Sequence, residues 1–478
     1  MSPADEKLAE RCAAIAETAS AGAEWIDRNR EQLRAEAEVA IKDLRRTAYV
    51  ARRLETAARR KMCVGVFGPS QSGKSYLISA LARSGQERLI ADFGGELIDF
   101  IRDINPEGGR ESTGLITRFT IDPALALPSG HAVQLRLLTQ TDIVKILGNT
   151  FFADCKQSSL ADPEPADISA AIDKIAARAG APAGDLSEDE VLDCQEYFEK
   201  YFDANSRVKV LRRAYWQRAA ALAPRLRPAD RAALFGLIWG EVGAFTQLFL
   251  TFHQALAALG FADEAFCSTA ALVPKQTSII DVAMLARLGN DDPDSLEVVT
   301  REGRSVVLPR STVTGLTAEL RIVMQKKPYD FFDHTDLLDF PGARSREEIR
   351  DIDAQLAKPE GLKDFFLRGK VSYLFERYSA NLELNTMLLC IGPSNQEVRG
   401  LPEIVAHWIA ATHGATPEER AKKPDTALFF VLTQFDREFE RKADWEATLS
   451  TRWSTRLFSS MLDFFGKYHS WPREWTPG

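Results

Sequence analysis

The sequence predicts an α/β fold: a mostly parallel central sheet bearing a phosphate-binding loop, preceded by a helical arm and interrupted by a large helical insertion. Three observations predict it. A short β-rich run, Met62–Phe67, passes through a glycine-bearing turn into a helical run, Tyr76–Ala82. Residues 5 to about 60 are nearly free of breakers and rich in Ala, Glu and Arg. After residue 331 strand-like and helix-like runs alternate again.

The arm takes residues 1–60. Leu33, Ala37, Ile41, Leu44, Ala48, Ala51 and Leu54 fall at i+3/i+4 steps and make one apolar stripe on a long helix, with a shorter helix before it around 6–18. The arm ends in Arg45, Arg46, Arg52, Arg53, Arg59, Arg60 and Lys61. Positive charge suits a helix C-terminus and a solvated face. A partner or membrane surface is the competing reading, so membrane contact is peripheral at most.

Residues 61–140 form the first part of the α/β domain. Beyond the loop, Leu115–Ile121 and Ala132–Leu138 are strand-like and suited to pair as antiparallel neighbours. Residues 141–330 form the mainly helical insertion. Its Pro/Ala/Gly-rich stretch 161–184 reads as a loop or linker, Ser187 and Glu190 as a capping box, and 296–308 as a hairpin. The apolar run 232–252 approaches the ~20 residues that span a bilayer. It carries Glu241, Gln247 and three glycines, so a buried core helix or helix pair is expected. Residues 331–478 form the second part, with strands at 335–338, 386–391 and 427–432 and a helix near 397–411.

Composition bounds the function. The 478-residue chain is 45% hydrophobic and 27% charged, as ordinary globular proteins are. A net charge of -8 offers no general attraction for nucleic acid. The six cysteines (Cys12, Cys63, Cys155, Cys194, Cys267, Cys390) never fall at a CxxC spacing, which points away from a zinc site or disulfide framework and toward a reducing cytoplasm. The first residues lack the basic and apolar regions of a signal peptide.

The chemistry sits on three motifs. Gly68-Pro69-Ser70-Gln71-Ser72-Gly73-Lys74-Ser75 matches G-x-x-x-x-G-K-[ST] in full, between a strand and a helix. Glycines let such a loop curl so that successive amides, including those of Ser70, Gln71, Ser72 and Tyr76, face phosphate oxygens. The helix that follows presents free amides and its positive dipole end. Lys74 supplies a point charge for the outer phosphates, and the Ser75 hydroxyl a ligand for Mg²⁺. Asp339-Phe340-Pro341-Gly342 is D-x-x-G at a strand end: Asp339 is suited to hold Mg²⁺ through water, and the Gly342 amide to face the γ-phosphate. Thr433-Gln434-Phe435-Asp436 follows an apolar strand. The Asp436 carboxylate can accept two hydrogen bonds that guanine offers and adenine does not. Between loop and Asp339 a nucleotide-sensing threonine is needed; Thr113 and Thr117 are the candidates, with Thr117 preferred.

With these elements in this order, the chain resembles the dynamin-like large GTPases. Ser112-Thr113-Gly114-Leu115-Ile116-Thr117-Arg118 is similar to dynamin's switch I, whose threonine before arginine ligates Mg²⁺, and Asp339-x-Pro341-Gly342 is dynamin's form of D-x-x-G. Gly73-Lys74-Ser75-Tyr76-Leu77 is similar to the guanylate-binding proteins. More closely, the run Phe67–Leu77, the Ile238-Trp239-Gly240 region and the long insertion resemble the putative bacterial virulence factor family, the SrfC-like proteins. That resemblance implies a large, bacterial, GTPase-like protein with a P-loop NTPase domain, located in the cytoplasm, peripherally at the membrane or delivered as a virulence factor.

The chain also departs from these families. Gln434 stands where N/T-K-x-D has lysine, which leaves ATP open as the ligand. Gln71 stands where guanylate-binding proteins carry a catalytic arginine, and Ser70 where dynamins carry a catalytic glutamine. Lys74, Thr117 and Gln71 are therefore the expected catalytic set, with slow turnover. A GTPase domain adds a further strand and base-contacting loop after Asp436, so the second part is expected to be truncated, as in a piece of a longer protein. The expected ligands are GTP or GDP and Mg²⁺. The expected partners are a second copy in the nucleotide-bound state and an operon or effector protein. A scaffold that holds nucleotide without turnover is the alternative from another class.

Overall fold

Small apolar side chains build the arm. The computed structural model describes residues 3–33, 35–83, 88–105, 113–123, 126–156, 162–290, 292–392, 398, 400–423, 425–434 and 449–477. Helices α1 (Pro3–Arg28) and α2 (Ala35–Arg59) fold back on each other. Their shared face is Ala9, Cys12, Ala16, Ala19 and Ala23 against Ala37, Ile41, Ala48 and Ala51, side chains short enough to let the helices approach closely. The first helix thus runs ten residues past the expected 6–18, because alanine at i+3/i+4 steps suffices when the partner face is equally small. The basic end of α2 is docked on the rest of the chain as well as solvated. Arg53 pairs with Asp193 at 3.0 Å and donates to Asn381 at 3.1 Å, while Arg46 pairs with Glu196 and Arg60 with Glu383.

From the arm the chain enters β1 (Met62–Phe67), turns into α3 (Lys74–Ala82), and makes a two-stranded sheet from β2 (Ile90–Phe93) and β3 (Glu96–Asp99). Then come β4 (Ile116–Thr120) and β5 (Val133–Leu137). The insertion follows with α4 (Gln140–Asp154), α5 (Pro165–Ala176), α6 (Glu188–Phe202), α7 (Pro228–Gly236) and α8 (Gly243–Ala258). The chain returns through β6 (Glu264–Cys267), β7 (Ser295–Thr300), β8 (Ser305–Pro309), β9 (Thr317–Val323) and β10 (Thr335–Asp339). It ends with α9 (Gly361–Ala380), β11 (Thr386–Ile391), α10 (Leu401–Thr412), β12 (Leu428–Leu432) and α11 (Leu449–Leu457).

Among the described residues, ten strands form one sheet in the order β12-β11-β1-β10-β4-β9-β5-β6-β7-β8. β1 is central to the parallel half, paired with β10 on one side and β11 on the other. The sheet is mixed rather than mostly parallel. β10 meets β4 antiparallel, and the run β9-β5-β6-β7-β8 is antiparallel throughout. The cause is that the insertion's last strands join the main sheet, and hairpin-linked strands such as β7 and β8 can only pair antiparallel. The expected β4–β5 pair is absent for the same reason. β9, buried along most of its length, lies between them, parallel to β4 and antiparallel to β5.

Within the insertion, the stretch expected as a linker holds α5. Proline sits in its first turn, and Ile168, Ile172 and Ile175 are buried at i+4 and i+3 spacing. The capping box at Ser187 and Glu190 is present in both halves. The apolar run 232–252 breaks into α7 and α8 at Gly240 and Glu241, both with positive φ. Glu241 is exposed at this junction. Among the described residues no helix is long and apolar enough to cross a membrane. α9 lies tightly on α4: a Cβ at Gly369 would sit 2.3 Å from the Ile146 carbonyl oxygen.

Candidate functional site

The carboxyl end of β1 delivers the chain into the loop 68–73, and its tight path explains the glycines. Gly68 (φ 151°) passes so close to β11 that a Cβ would lie 2.2 Å from the Cys390 carbonyl oxygen. Gly73 (φ 83°) caps α3 in the left-handed region, and a Cβ there would come within 3.1 Å of Thr433. Gln71, also left-handed, is exposed at the tip. Lys74 opens α3 yet is only 4% exposed, because its ammonium tucks beneath the loop. It donates to the Pro69 carbonyl at 2.7 Å and to the Gly68 carbonyl at 3.3 Å. Ser75 and Tyr76 are exposed on the first turn of α3, and Ser70 is half-buried.

The end of β10 forms a second wall. Asp339 is in register with Val66 of β1 and is 7% exposed. The chain then runs beside the loop: Phe340 N donates to the Val66 carbonyl at 3.2 Å, and Ala343 N to the Gly68 carbonyl at 3.0 Å. Gly342, just before that contact, is buried. Thr117 on β4 lies directly opposite Asp339 across the antiparallel ladder and is 2% exposed. Thr113 is drawn elsewhere, bridging to Asp281 of the insertion.

The turn after β12 forms a third wall. The Thr433 hydroxyl donates to the Ser72 carbonyl, and the Gln434 side-chain amide donates to the Gln71 carbonyl at 2.8 Å. Arg456 of α11 in turn donates to the Thr433 carbonyl. Arg456 was invisible to sequence reading, since no local pattern links α11 to a turn twenty-three positions earlier. Asp436, the expected base reader, and Ser112 at the start of the stretch similar to switch I lie outside the described residues.

Lys74, Asp339, Thr117, Gly342, Thr433 and Gln434 therefore come from four separate stretches of chain to one end of the sheet. The Cys390 thiol behind the loop is pushed up to about 12 by burial, which makes it a poor nucleophile. The opposite end of these strands is different. A cavity of about 500 Å³ there is lined by Arg60, Lys61, Arg118, Glu319, Asp336 and Glu383, among others. These charges pair with one another: Arg118 meets Glu319 at 2.8 Å, Asp336 at 3.1 Å and Glu383 at 3.5 Å. Burial raises the Glu319 carboxyl, but Arg118 and Arg136 more than offset this and bring it down to about 2. The self-neutralised network is structural. Because successive strand residues face opposite sides, Arg118 anchors β4 in this network while Thr117 faces the other way.

Comparison with protein families gives one result. The family model described as putative bacterial virulence factor matches residues 22–478, nearly the whole chain. The chain belongs to this family. In this family member the matched region contains all three walls of the site and most of the arm. Comparison with proteins of curated function gives no match.

Proposed function

We propose that this member of the virulence factor family is a P-loop protein that binds GTP with Mg²⁺ and hydrolyses it slowly, using the end of the sheet where Lys74 lies. The observation that carries the reading is Lys74 held beneath a loop joining strand to helix, with Asp339 and Thr117 in register on the adjoining strands. Open α/β sheets bind ligands beyond the carboxyl ends of parallel strands, at the point where connections diverge to either side. β1 occupies that point, with β10 and β11 as its two parallel neighbours.

The donor set fits the metal. The Ser75 and Thr117 hydroxyls and the Asp339 carboxylate are hard oxygen ligands, which suit Mg²⁺ when phosphate oxygens complete the shell. Bound there, Mg²⁺ would neutralise charge developing on the outer phosphates. The chain's own part is positioning. Loop amides and the N-terminus of α3 orient the phosphates, Lys74 supplies a fixed positive charge, and Gly342 offers its amide beside the γ-phosphate. With glutamine rather than arginine at position 71, turnover falls in the slow range of unassisted GTPases, on the order of 10⁻⁴ s⁻¹ in the Ras case.

The test is titration of the full chain with fluorescent GTP and ATP, with and without Mg²⁺, followed by phosphate release. Tighter GTP than ATP, with loss of binding in Lys74→Ala, supports the reading. Tighter ATP removes the guanine assignment, and no binding of either nucleotide removes the site.

A further inference from the structure

Arg346, seven positions after Asp339, ties the segment leaving the site to the insertion. It donates to Asn149 Oδ1 at 2.7 Å and to Asp154 Oδ2 at 3.2 Å, both on α4. The Glu347 amide donates to Asp154 Oδ1 at 3.1 Å, and Thr150 Oγ1 donates to Asp154 Oδ2 at 3.1 Å. The main chain adds a parallel bridge between Cys155 and Ile349: Ile349 N donates to the Asp154 carbonyl and Lys156 N to the Ile349 carbonyl, each at 2.8 Å. The Asp154 side chain is 0% exposed. A buried carboxylate stripped of its cation is strongly destabilising, so this segment cannot leave α4 without the end of α4 rearranging.

The tether has little slack. Ala343 is pinned to the loop through the Gly68 carbonyl, and Arg346 is pinned to α4. Three residues of extended chain span at most about 10 Å, so a shift at the phosphate end is not absorbed before α4. Beyond α4 the polar contacts continue. Asn149 Nδ2 donates to the Tyr197 hydroxyl at 2.6 Å, and that hydroxyl donates to Glu376 of α9. Tyr197 lies on α6, whose Asp193 holds Arg53 of the arm. Beside this ion pair a cleft of about 490 Å³, lined by Tyr49, Arg53, Asp193, Tyr197 and Glu376 among others, opens between arm and insertion. The cleft is half open to solvent, so this polar contact borders space in which to change.

We infer that Arg346 is a latch that passes the occupancy of the phosphate site to α4, and through Asn149 and Tyr197 to the arm. This deepens the nucleotide reading and rests on it: the same short segment carries Gly342 at one end and Arg346 at the other. The relay is a two-ended mechanical link, and its signature is coupling between ligand state and the C-terminal turn of α4.

Hydrogen–deuterium exchange of the full chain tests it, with GDP and with a non-hydrolysable GTP analogue, for wild type, Arg346→Ala and Arg346→Lys. Lysine keeps the charge opposite Asp154 but cannot bridge to Asn149 as well, so it stands in should the alanine variant fail to fold. In wild type the amides at 149–156 are expected to exchange about tenfold differently in the two nucleotide states, a typical coupling strength. In the Arg346 variants that difference should fall below about twofold, with affinity for each nucleotide within about threefold of wild type. An unchanged difference in the variants overturns the latch, as does a wild type that binds both nucleotides with no response in α4. A wild type that binds neither overturns the nucleotide reading itself.

Discussion

Gln434 reaches back from the turn after β12 and donates its side-chain amide to the main-chain carbonyl of Gln71 at 2.8 Å. Both residues hold left-handed backbone, with φ of 52° and 60°. With the Thr433 hydroxyl on the Ser72 carbonyl, the turn after β12 fixes the tip of the loop. Gln434, which stands where N/T-K-x-D has lysine, therefore shapes the loop. One net hydrogen bond is worth about 1 kcal/mol, so Gln434→Ala is expected to weaken nucleotide binding about three- to tenfold. GTP and ATP should suffer alike. Parallel titrations check this, and a loss confined to GTP would return Gln434 to base recognition.

The register of Thr117 opposite Asp339 makes a separate prediction about metal. Thr117→Val keeps the volume of a buried side chain and deletes only the hydroxyl. Asp339→Asn keeps size and removes charge. Mg²⁺ should strengthen GTP binding in wild type, and each variant should lose about tenfold of that gain, the range expected for one charge-assisted contact. Binding in EDTA should stay the same. A Thr117→Val protein with full magnesium enhancement would free Thr117 from the metal.

Much of the candidate site is made of local patterns. The loop 68–75, the Asp339–Gly342 turn and the strand before Thr433 each announce themselves within a dozen residues, since tight turns at strand ends demand particular types at adjacent positions. What escaped was long-range. Nothing near β4 or β5 says that β9, some two hundred residues later, will slide between them, because strand pairing is chosen by tertiary packing. Likewise no local pattern marks Arg346. Its partners Asn149 and Asp154 lie 197 and 192 positions away and become meaningful only once α4 is folded. α5 was hidden by composition: proline, alanine and glycine around it masked three isoleucines at helical spacing.

The contact between α9 and α4 offers a stability test away from the site. Gly369→Ala would put a methyl 2.3 Å from the Ile146 carbonyl oxygen, a backbone atom that cannot swing aside. Overpacking of this kind costs about 1–3 kcal/mol, and here it should exceed the modest helix-propensity gain of alanine over glycine. Chemical denaturation should show a lower midpoint for the variant. An unchanged or higher midpoint would mean that the two helices part more easily than their packing implies.

Two buried groups on α9 pull stability in opposite directions with pH. Lys370 is 0% exposed, and its ammonium donates to the Thr314 carbonyl at 2.9 Å. Burial alone brings it from 10.5 down to about 7. Between about 7 and 10.5 the unfolded chain therefore holds a proton that the folded chain lacks, so this group makes stability rise with pH across that window. The Glu376 carboxyl runs the other way: burial lifts it from 4.5 to about 7, against the pull of Tyr197 and Arg346. The folded chain holds the extra proton there, and stability falls as pH rises from 4.5 to 7. Each slope is at most about 1.4 kcal/mol per pH unit. Other groups also titrate in these ranges; His253, lowered to about 4 by burial, opposes Glu376. The measurement is therefore a difference curve, with denaturation midpoints followed across pH for wild type, Lys370→Met and Glu376→Gln. The lysine variant should gain on wild type as pH falls from 10.5 to 7 and run level with it, offset, below. The glutamine variant should gain as pH rises from 4.5 to 7. A flat difference for Lys370→Met would mean that its amine keeps its charge inside the fold, and the environment of α9 would have to be more polar than the packing around Lys370 provides.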